Sequence, residues 1–286
     1  MKEIICGRKL VKFFGEGSEK RKVLDEVDVS VAKGEFLSVM GPSGSGKSTL
    51  LYTLSGMDAI DGGTVSFCGR DLAACREEEL ADLRRTRMGF VFQQPALLKN
   101  LNLLDNIIFP SLRSHGRNGA EAEEKAKALM ERTGILPLAK RSITQTSGGQ
   151  LQRAGICRAL MGDPEIIFAD EPTGALNSSA AEEIMDIFSE INAQGTAVMM
   201  VTHDPKIAAR AGRILFLADG RTAGELRFPE ASANVSDIAK TSAKLNDITN
   251  ASSKVSFAAK TASDTGTLRF QYRIDCILEK MRVLGI

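Results

Sequence analysis

The chain has 286 residues, of which 43% are hydrophobic, so it can bury a sizeable core. Its 37 basic and 36 acidic residues give a net charge of +1, which excludes the charge imbalance typical of a nucleic-acid binder. The sequence has no apolar run of the ~18 residues that a membrane helix requires, no signal-peptide pattern, and five widely spaced cysteines that indicate reduced thiols in a cytosolic protein.

The N-terminal part of the chain is predicted to form antiparallel strands. Residues 1 to about 40, together with Thr64 to Phe67, have the extended pattern, and the turn Asp61-Gly62-Gly63 precedes the second stretch. At the end of the first stretch, the apolar run Phe36 to Met40 is typical of a buried strand.

A glycine-rich loop follows that strand and fits the pattern G-x-x-x-x-G-K-[ST]. Small residues in such a loop let backbone N–H groups surround a triphosphate, and the following helix adds its positive end. Lys47 would contact the β- and γ-phosphates, and the Ser48 hydroxyl would bind Mg²⁺. A glycine-rich turn that matches by chance is the alternative. The candidate triphosphate contacts in the loop are Gly41, Pro42, Ser43, Gly44, Ser45, Gly46, Lys47, Ser48 and Thr49.

The middle of the chain, from about Pro95 to Met161, has a helical pattern. Leu101 to Leu112 and Ala120 to Arg132 carry apolar residues at spacings of three and four. The run SGGQLQR, Ser147 to Arg153, then opens a further helix whose N-terminus is a second anion-binding end. By itself, this run could equally be a flexible loop before a helix.

A pair of acids follows the apolar run that begins at Ile166. The pattern is that of a buried parallel strand that brings Asp170 and Glu171 to the edge of a sheet where ligands bind. Asp170 would hold the magnesium shell, and Glu171 would orient or deprotonate the attacking water. The alternative is that the two acids only cap the next helix.

The remaining strands alternate with helices, which predicts an α/β fold with a mostly parallel sheet. They are expected at Ile166 to Ala169, Ala197 to Thr202 and Arg213 to Leu217, and Asp219-Gly220 is predicted to be a hairpin turn.

The amino-acid composition of the chain changes after Pro229. We expect one domain over residues 1–229, a Ser/Ala/Thr-rich, weakly structured linker over 230–267, and an amphipathic helix over 268–286. The helix could pack on its own domain or bind a partner.

Taken together, these motifs resemble those of the ATP-binding cassette (ABC) ATPases, with Thr146 where the family usually has leucine before SGGQ. The resemblance covers about residues 1 to 228. It implies a P-loop NTPase core with an antiparallel β subdomain and a helical subdomain over about 95–161. It also implies ATP and Mg²⁺ as cofactors.

Further residues are assigned by the same resemblance. Gln93 would touch magnesium or the lytic water, so the implied metal-binding residues are Ser48, Gln93 and Asp170. His203 would hydrogen-bond the γ-phosphate, which with Glu171 and Gln93 completes the implied catalytic set. A purely structural role is the alternative for His203. Phe14 stands where a tyrosine usually stacks on adenine, and Phe13 is its possible substitute.

The resemblance also implies a head-to-tail dimer. Ser147, Gly148, Gly149 and Gln150 of one copy would close over the γ-phosphate held by the other, so that two ATP molecules are sandwiched. Asn177 stands where the loop that crosses this dimer usually has aspartate. The asparagine side chain keeps an acceptor oxygen but lacks the negative charge.

Within the ABC ATPases, the chain is similar to the cassettes of the macrolide-exporter, lipoprotein-release and bacitracin-resistance group. This implies a peripheral subunit at the cytoplasmic face of the membrane that drives a separate permease with a large extracytoplasmic domain. Its role could be antimicrobial peptide export or resistance. The alternatives are a non-transporting regulatory cassette of the cell-division type and a soluble ABC ATPase that acts on ribosomes or DNA.

Overall fold

The computed structural model describes residues 2–15, 17–113, 119–228 and 265–286. The strands in these ranges are β1 (Glu3–Phe14), β2 (Arg21–Ala32), β3 (Phe36–Met40), β4 (Gly62–Phe67), β5 (Arg70–Asp71), β6 (Met88–Val91), β7 (Ile166–Asp170), β8 (Ala197–Val201), β9 (Arg213–Ala218) and β10 (Arg221–Arg227). The α-helices are α1 (Lys47–Leu54), α2 (Glu77–Thr86), α3 (Leu103–Ile108), α4 (Gly119–Arg132), α5 (Gly148–Leu160), α6 (Ser178–Ala193), α7 (Pro205–Ala208) and α8 (Thr265–Leu284).

A six-stranded sheet forms the centre of the fold, in the order β10-β9-β3-β8-β7-β6. Strands β9, β3, β8, β7 and β6 are parallel, and only β10 runs antiparallel, beside β9. The predicted hairpin turn joins β9 to β10. Asp219 and Gly220 both have positive φ, +48° and +76°, as a tight two-residue turn requires.

A second sheet is antiparallel, in the order β2-β1-β4-β5. Its strand β2 ends at Ala32, and the next strand, β3, belongs to the central sheet, so the prediction of antiparallel strands up to about residue 40 was too long. Every residue of β3 is buried, and β3 pairs in parallel with β8 and β9. A fully buried strand is typical of a parallel sheet, because other elements cover both faces of such a sheet.

The helices α3, α4 and α5 share a hydrophobic cluster of their own. Helix α4 agrees with the predicted range, but α3 ends at Ile108 rather than Leu112, and a 3₁₀ turn over Phe109–Arg113 follows it. Pro110 lacks the N–H that a continuing α-helix would use, so the apolar spacing overstated the helix.

Helix α8 packs against the central sheet over β10, β9 and β3. Ile274 and Ile277 are buried in a cluster with residues of β3, α7, β9 and β10. The predicted linker, residues 230–267, lies outside the described residues up to 264. No helix in the described ranges combines the length and apolarity needed to cross a bilayer. All five cysteines are free thiols.

Candidate functional site

The phosphate loop connects β3 to α1, where the sequence predicts it. Gly46 has φ +98°, and a Cβ at this residue would lie 2.7 Å from the Val23 carbonyl oxygen. A Cβ at Gly41 would lie only 2.0 Å from the Leu217 carbonyl oxygen. Only glycine fits these two positions, because neighbouring backbone occupies the space of any side chain.

Lys47 is the first residue of α1 and is 7% exposed. Its Nζ donates to the carbonyl oxygens of Gly41 and Pro42, at 2.9 and 2.8 Å, so the cation lies within the curve of its own loop. Burial lowers the pKa of Lys47, and the charges of Glu171 and Asp170 oppose that shift.

One polar group of the loop is unsatisfied and suits a phosphate oxygen. The buried Ser45 hydroxyl has no hydrogen-bond partner among the described residues. Such a group normally has a partner, and a phosphate oxygen would provide one. Together with the helix N-terminus and the Lys47 cation, this loop is suited to bind an anion.

Asp170 lies at the end of β7 and receives two hydrogen bonds. The hydroxyl of Ser48 donates to Oδ1 at 2.9 Å, and the hydroxyl of Tyr52 donates to Oδ2 at 2.8 Å. Burial and the bond to Asp170 raise the pKa of Tyr52 to about 12, so this phenol remains a donor at neutral pH. The sequence pattern did not identify Tyr52, although its position four residues after Ser48 places both hydroxyls on one side of α1.

Ser48 and Asp170 offer the oxygen ligands that Mg²⁺ prefers. The described residues contain no group of three His, Cys, Asp or Glu side chains that could hold a metal. A magnesium ion that takes one carboxylate, one hydroxyl and phosphate oxygens needs no such group, so the donor set fits this ion.

Glu171 and His203 lie side by side at the ends of β7 and β8. The Nδ1 atom of His203 is 3.2 Å from Oε1 of Glu171, and the N–H of Glu171 donates to the Val201 carbonyl at 3.0 Å. Glu171 has φ +44°, in the left-handed region that a non-glycine residue rarely adopts. This conformation turns the chain directly after the strand.

Gln93 follows β6 and lies near Glu171. A Cβ at Gly174 would meet the Gln93 Nε2 atom at 2.9 Å and the Glu171 Oε2 atom at 3.3 Å. Both side chains therefore lie next to Gly174, which places Gln93 close to the predicted carboxylate.

One cleft of about 800 Å³ collects most of the predicted nucleotide contacts. Its lining residues include Phe14, Gly41, Pro42, Ser43, Gly44, Gly46, Lys47, Ser48, Thr49, Glu171 and His203. Ser45, Gln93 and Asp170 are not among them. Phe14 is 47% exposed in this cleft, whereas the neighbouring Phe13 ring contacts Lys20 Nζ, 4.4 Å from its centroid.

The SGGQ run occupies a different cleft, of about 380 Å³, which shares no lining residue with the first. Ser147 caps α5: its hydroxyl accepts from the Gln150 N–H at 3.4 Å, and Gln150 Oε1 accepts from the Ser147 N–H at 3.0 Å. Gly148 and Gly149 form the first turn of the helix and line the same cleft. These four residues are therefore separate from the phosphate loop of their own chain.

Asn177 also lines the second cleft and caps α6. Its Oδ1 accepts from the Ala180 N–H at 2.9 Å. Asparagine and aspartate are equally good at this capping position, so the departure from the family pattern keeps the local structure.

Comparison with known proteins identifies the family. The ABC transporter family model matches residues 24–174. The macrolide export ATP-binding/permease protein MacB of Aggregatibacter actinomycetemcomitans is 40% identical over 217 residues, which are 76% of this chain and only 34% of that protein. The uncharacterized ABC transporter ATP-binding protein YknY of Bacillus subtilis is 40% identical over 209 residues, 73% of this chain and 90% of that protein.

Solved structures agree with the fold. The dimeric ATP-binding cassette MJ0796, in a post-hydrolysis state bound to ADP and Pi, superposes with a TM-score of 0.74 and is 35% identical in sequence. The superposition covers 79% of this chain and 99% of the MJ0796 chain. The predicted fold class, ATPase activity and similarity to the macrolide-exporter group are confirmed. The chain therefore belongs to the ABC transporter family, as one of its ATP-hydrolysing cassettes.

Proposed function

We propose that the chain binds MgATP in the cleft of the phosphate loop and hydrolyses it to drive a separate membrane permease. The observation that supports this most directly is the content of that cleft. Lys47, Glu171 and His203 all line it, and the Ser48–Asp170 hydrogen bond lies at its edge. One site thus offers a cation for the phosphates, oxygen ligands for a metal, and a carboxylate for the water.

Each side chain has a distinct task in this proposal. The backbone N–H groups of the loop and Lys47 would bind the triphosphate, and Ser48, Asp170 and Gln93 would hold Mg²⁺, which would neutralise charge on the phosphates. Glu171 accepts a proton from the water that attacks the γ-phosphorus, as the bond to the bridging oxygen breaks and ADP leaves. His203, 3.2 Å from Glu171, hydrogen-bonds the γ-phosphate and keeps the carboxylate in place.

We propose that two copies form the complete site. Within one chain the SGGQ cleft and the phosphate-loop cleft are separate, and each offers a helix N-terminus to an anion. A head-to-tail dimer uses both ends on one ATP, with Ser147, Gly148, Gly149 and Gln150 facing the γ-phosphate of the other copy. The match to a dimeric cassette supports this arrangement.

For the partner, we propose a permease of the type that carries a large extracytoplasmic domain, which would place the chain at the cytoplasmic face of the membrane. The MacB relative, named as an ATP-binding/permease protein, is matched over only 34% of its length, so most of that protein lies outside the match to this chain. Macrolides and antimicrobial peptides are the cargo classes of this proposal. No nucleic acid is expected as a partner, because the net charge is only +1.

ATPase assays in the presence and absence of the permease test this function. The purified chain should release phosphate from ATP with Mg²⁺ and stop when the metal is chelated. Co-reconstitution with the membrane permease that copurifies with the chain should then raise the rate. An ATPase rate that does not change when the permease is added would argue against the transporter role and leave the cassette assignment intact.

A further inference from the structure

The end of α8 carries a capping motif that fixes its last side chains. Gly285 has φ +69°, and its N–H donates to the Arg282 carbonyl at 3.3 Å. The N–H of Ile286 donates to the Met281 carbonyl at 3.0 Å. This pair of bonds is the Schellman motif, in which the residue after the glycine folds back toward the residue three positions before the cap. Ile286 is therefore held beside Met281.

The helix that presents this pair is firmly attached to the sheet. Ile277 is fully buried, and Arg273 Nη1 donates to the Ala209 carbonyl at 3.1 Å. Helix α8 approaches β10 closely at Gly224. A Cβ at this glycine would lie 2.9 Å from Lys280 Cε and 3.4 Å from Leu284 Cδ1. The position of Met281 and Ile286 is thus set by the packing of the whole helix.

Met281 and Ile286 both line the cleft that holds the phosphate loop. Besides Arg21, the lining of this cleft contains two kinds of group. One kind is the loop itself with Glu171 and His203, which suit phosphates. The other is apolar: Phe14, Val23, Met281 and Ile286. A nucleotide has the same two parts, a charged triphosphate and a flat aromatic base.

We propose that Met281 and Ile286 contact the nucleobase of ATP and form, with Phe14, an apolar subsite for it. The inference rests on the proposed function, because it takes the loop as the phosphate site. A base in this subsite would stack on the Phe14 ring and touch the Met281 thioether, which makes favourable contacts with aromatic rings. Helix α8 would then contribute directly to nucleotide binding as well as to packing.

Calorimetric titration with two ligands tests this subsite. MgATP carries the base, and magnesium tripolyphosphate carries only the phosphates. In the full chain, Met281→Ala and Ile286→Ala should each raise the Kd for MgATP about threefold to tenfold and leave the Kd for tripolyphosphate unchanged. Gly285→Ala should act in the same direction, because alanine is strained at φ +69° and releases Ile286.

A control variant completes the experiment. Val283→Ala alters a side chain of the same helix that is 47% exposed and does not line the cleft, so it should bind both ligands like the parent. Unchanged or tighter MgATP binding in Met281→Ala and Ile286→Ala would overturn the inference, and so would an equal loss for both ligands. A parent chain that binds neither ligand would contradict the proposed function itself.

Discussion

Among single residues, Lys47 and His203 separate binding from chemistry in the proposed site. Lys47 is buried against the carbonyls of its own loop, whereas the His203 side chain is 67% exposed and contacts Glu171. In the proposed site, Lys47 binds the β- and γ-phosphates, whereas His203 acts on the γ-phosphate and on Glu171. Their substitution should therefore affect different measured quantities.

Lys47→Ala should weaken ATP binding itself, because the phosphates lose their only lysine in the loop. His203→Ala should keep most of the affinity and lower the turnover rate, since it removes a group that acts on the γ-phosphate and on Glu171. Titration with a fluorescent ATP analogue, beside a phosphate-release assay, measures both. Equal loss of affinity in the two variants would mean that His203 has only a structural role.

Asn177 is a second residue with a testable local role. Asn177→Ala removes the acceptor for the Ala180 N–H and should lower the free energy of unfolding by about 1 kcal/mol. Asn177→Asp keeps that acceptor and should be as stable as the parent. Urea unfolding of the three proteins gives the comparison. A stable alanine variant would show that the cap does not contribute to stability.

Among the elements of the fold, α8 is the one that the sequence explains least. Its apolar spacing predicts a helix, and the structure has one, packed on the sheet through Ile274 and Ile277. Periodicity gives the apolar face of a helix but not the surface that this face meets. The contact of Met281 and Ile286 with the phosphate-loop cleft was therefore beyond prediction, although Gly285 is a recognisable capping signal.

Two substitutions on α8 test its packing. Ile277→Ala removes a fully buried side chain and should cost about 2 to 5 kcal/mol of unfolding free energy. Leu278→Ala is the matched control, because Leu278 is 49% exposed and its truncation should change stability by less than about 0.5 kcal/mol. Equal effects of the two variants in guanidinium unfolding would contradict the packing described here.

The strands and helix that carry the phosphate-binding site were more predictable than the packing of α8. The loop pattern predicts the β3–loop–α1 unit, and the apolar run before Asp170 predicts β7, because a strand, turn residues and acids are adjacent in the sequence. The bond from Tyr52 to Asp170 joins residues 118 positions apart, and no local pattern carries it. Contacts of this kind depend on the order of strands in the sheet, which is a property of the whole fold.

For the whole molecule, we propose that two chains enclose ATP. Each chain has the phosphate loop in one cleft and the SGGQ helix end in another, and the proposed dimer would bring both to one ATP. Hydrolysis would normally end such a complex. A variant that binds ATP without hydrolysing it should therefore accumulate as the dimer.

Glu171→Gln is that variant. The amide keeps a hydrogen-bonding side chain but cannot accept a proton, so turnover should fall by about 10² or more while MgATP still binds. Gly148→Glu in the same protein should prevent closure. A Cβ at Gly148 meets only Leu176 Cδ2, at 3.6 Å, so the fold has room for the substitution, while the new carboxylate would repel the phosphates of the other copy.

The most direct measurement is the molar mass of the Glu171→Gln protein by light scattering, with and without MgATP. The single chain has a mass of 30.8 kDa, and we expect this mass to double only when MgATP is present. Adding Gly148→Glu should return it to the mass of one chain. A Glu171→Gln protein that binds MgATP and remains a monomer at every concentration would contradict the shared site.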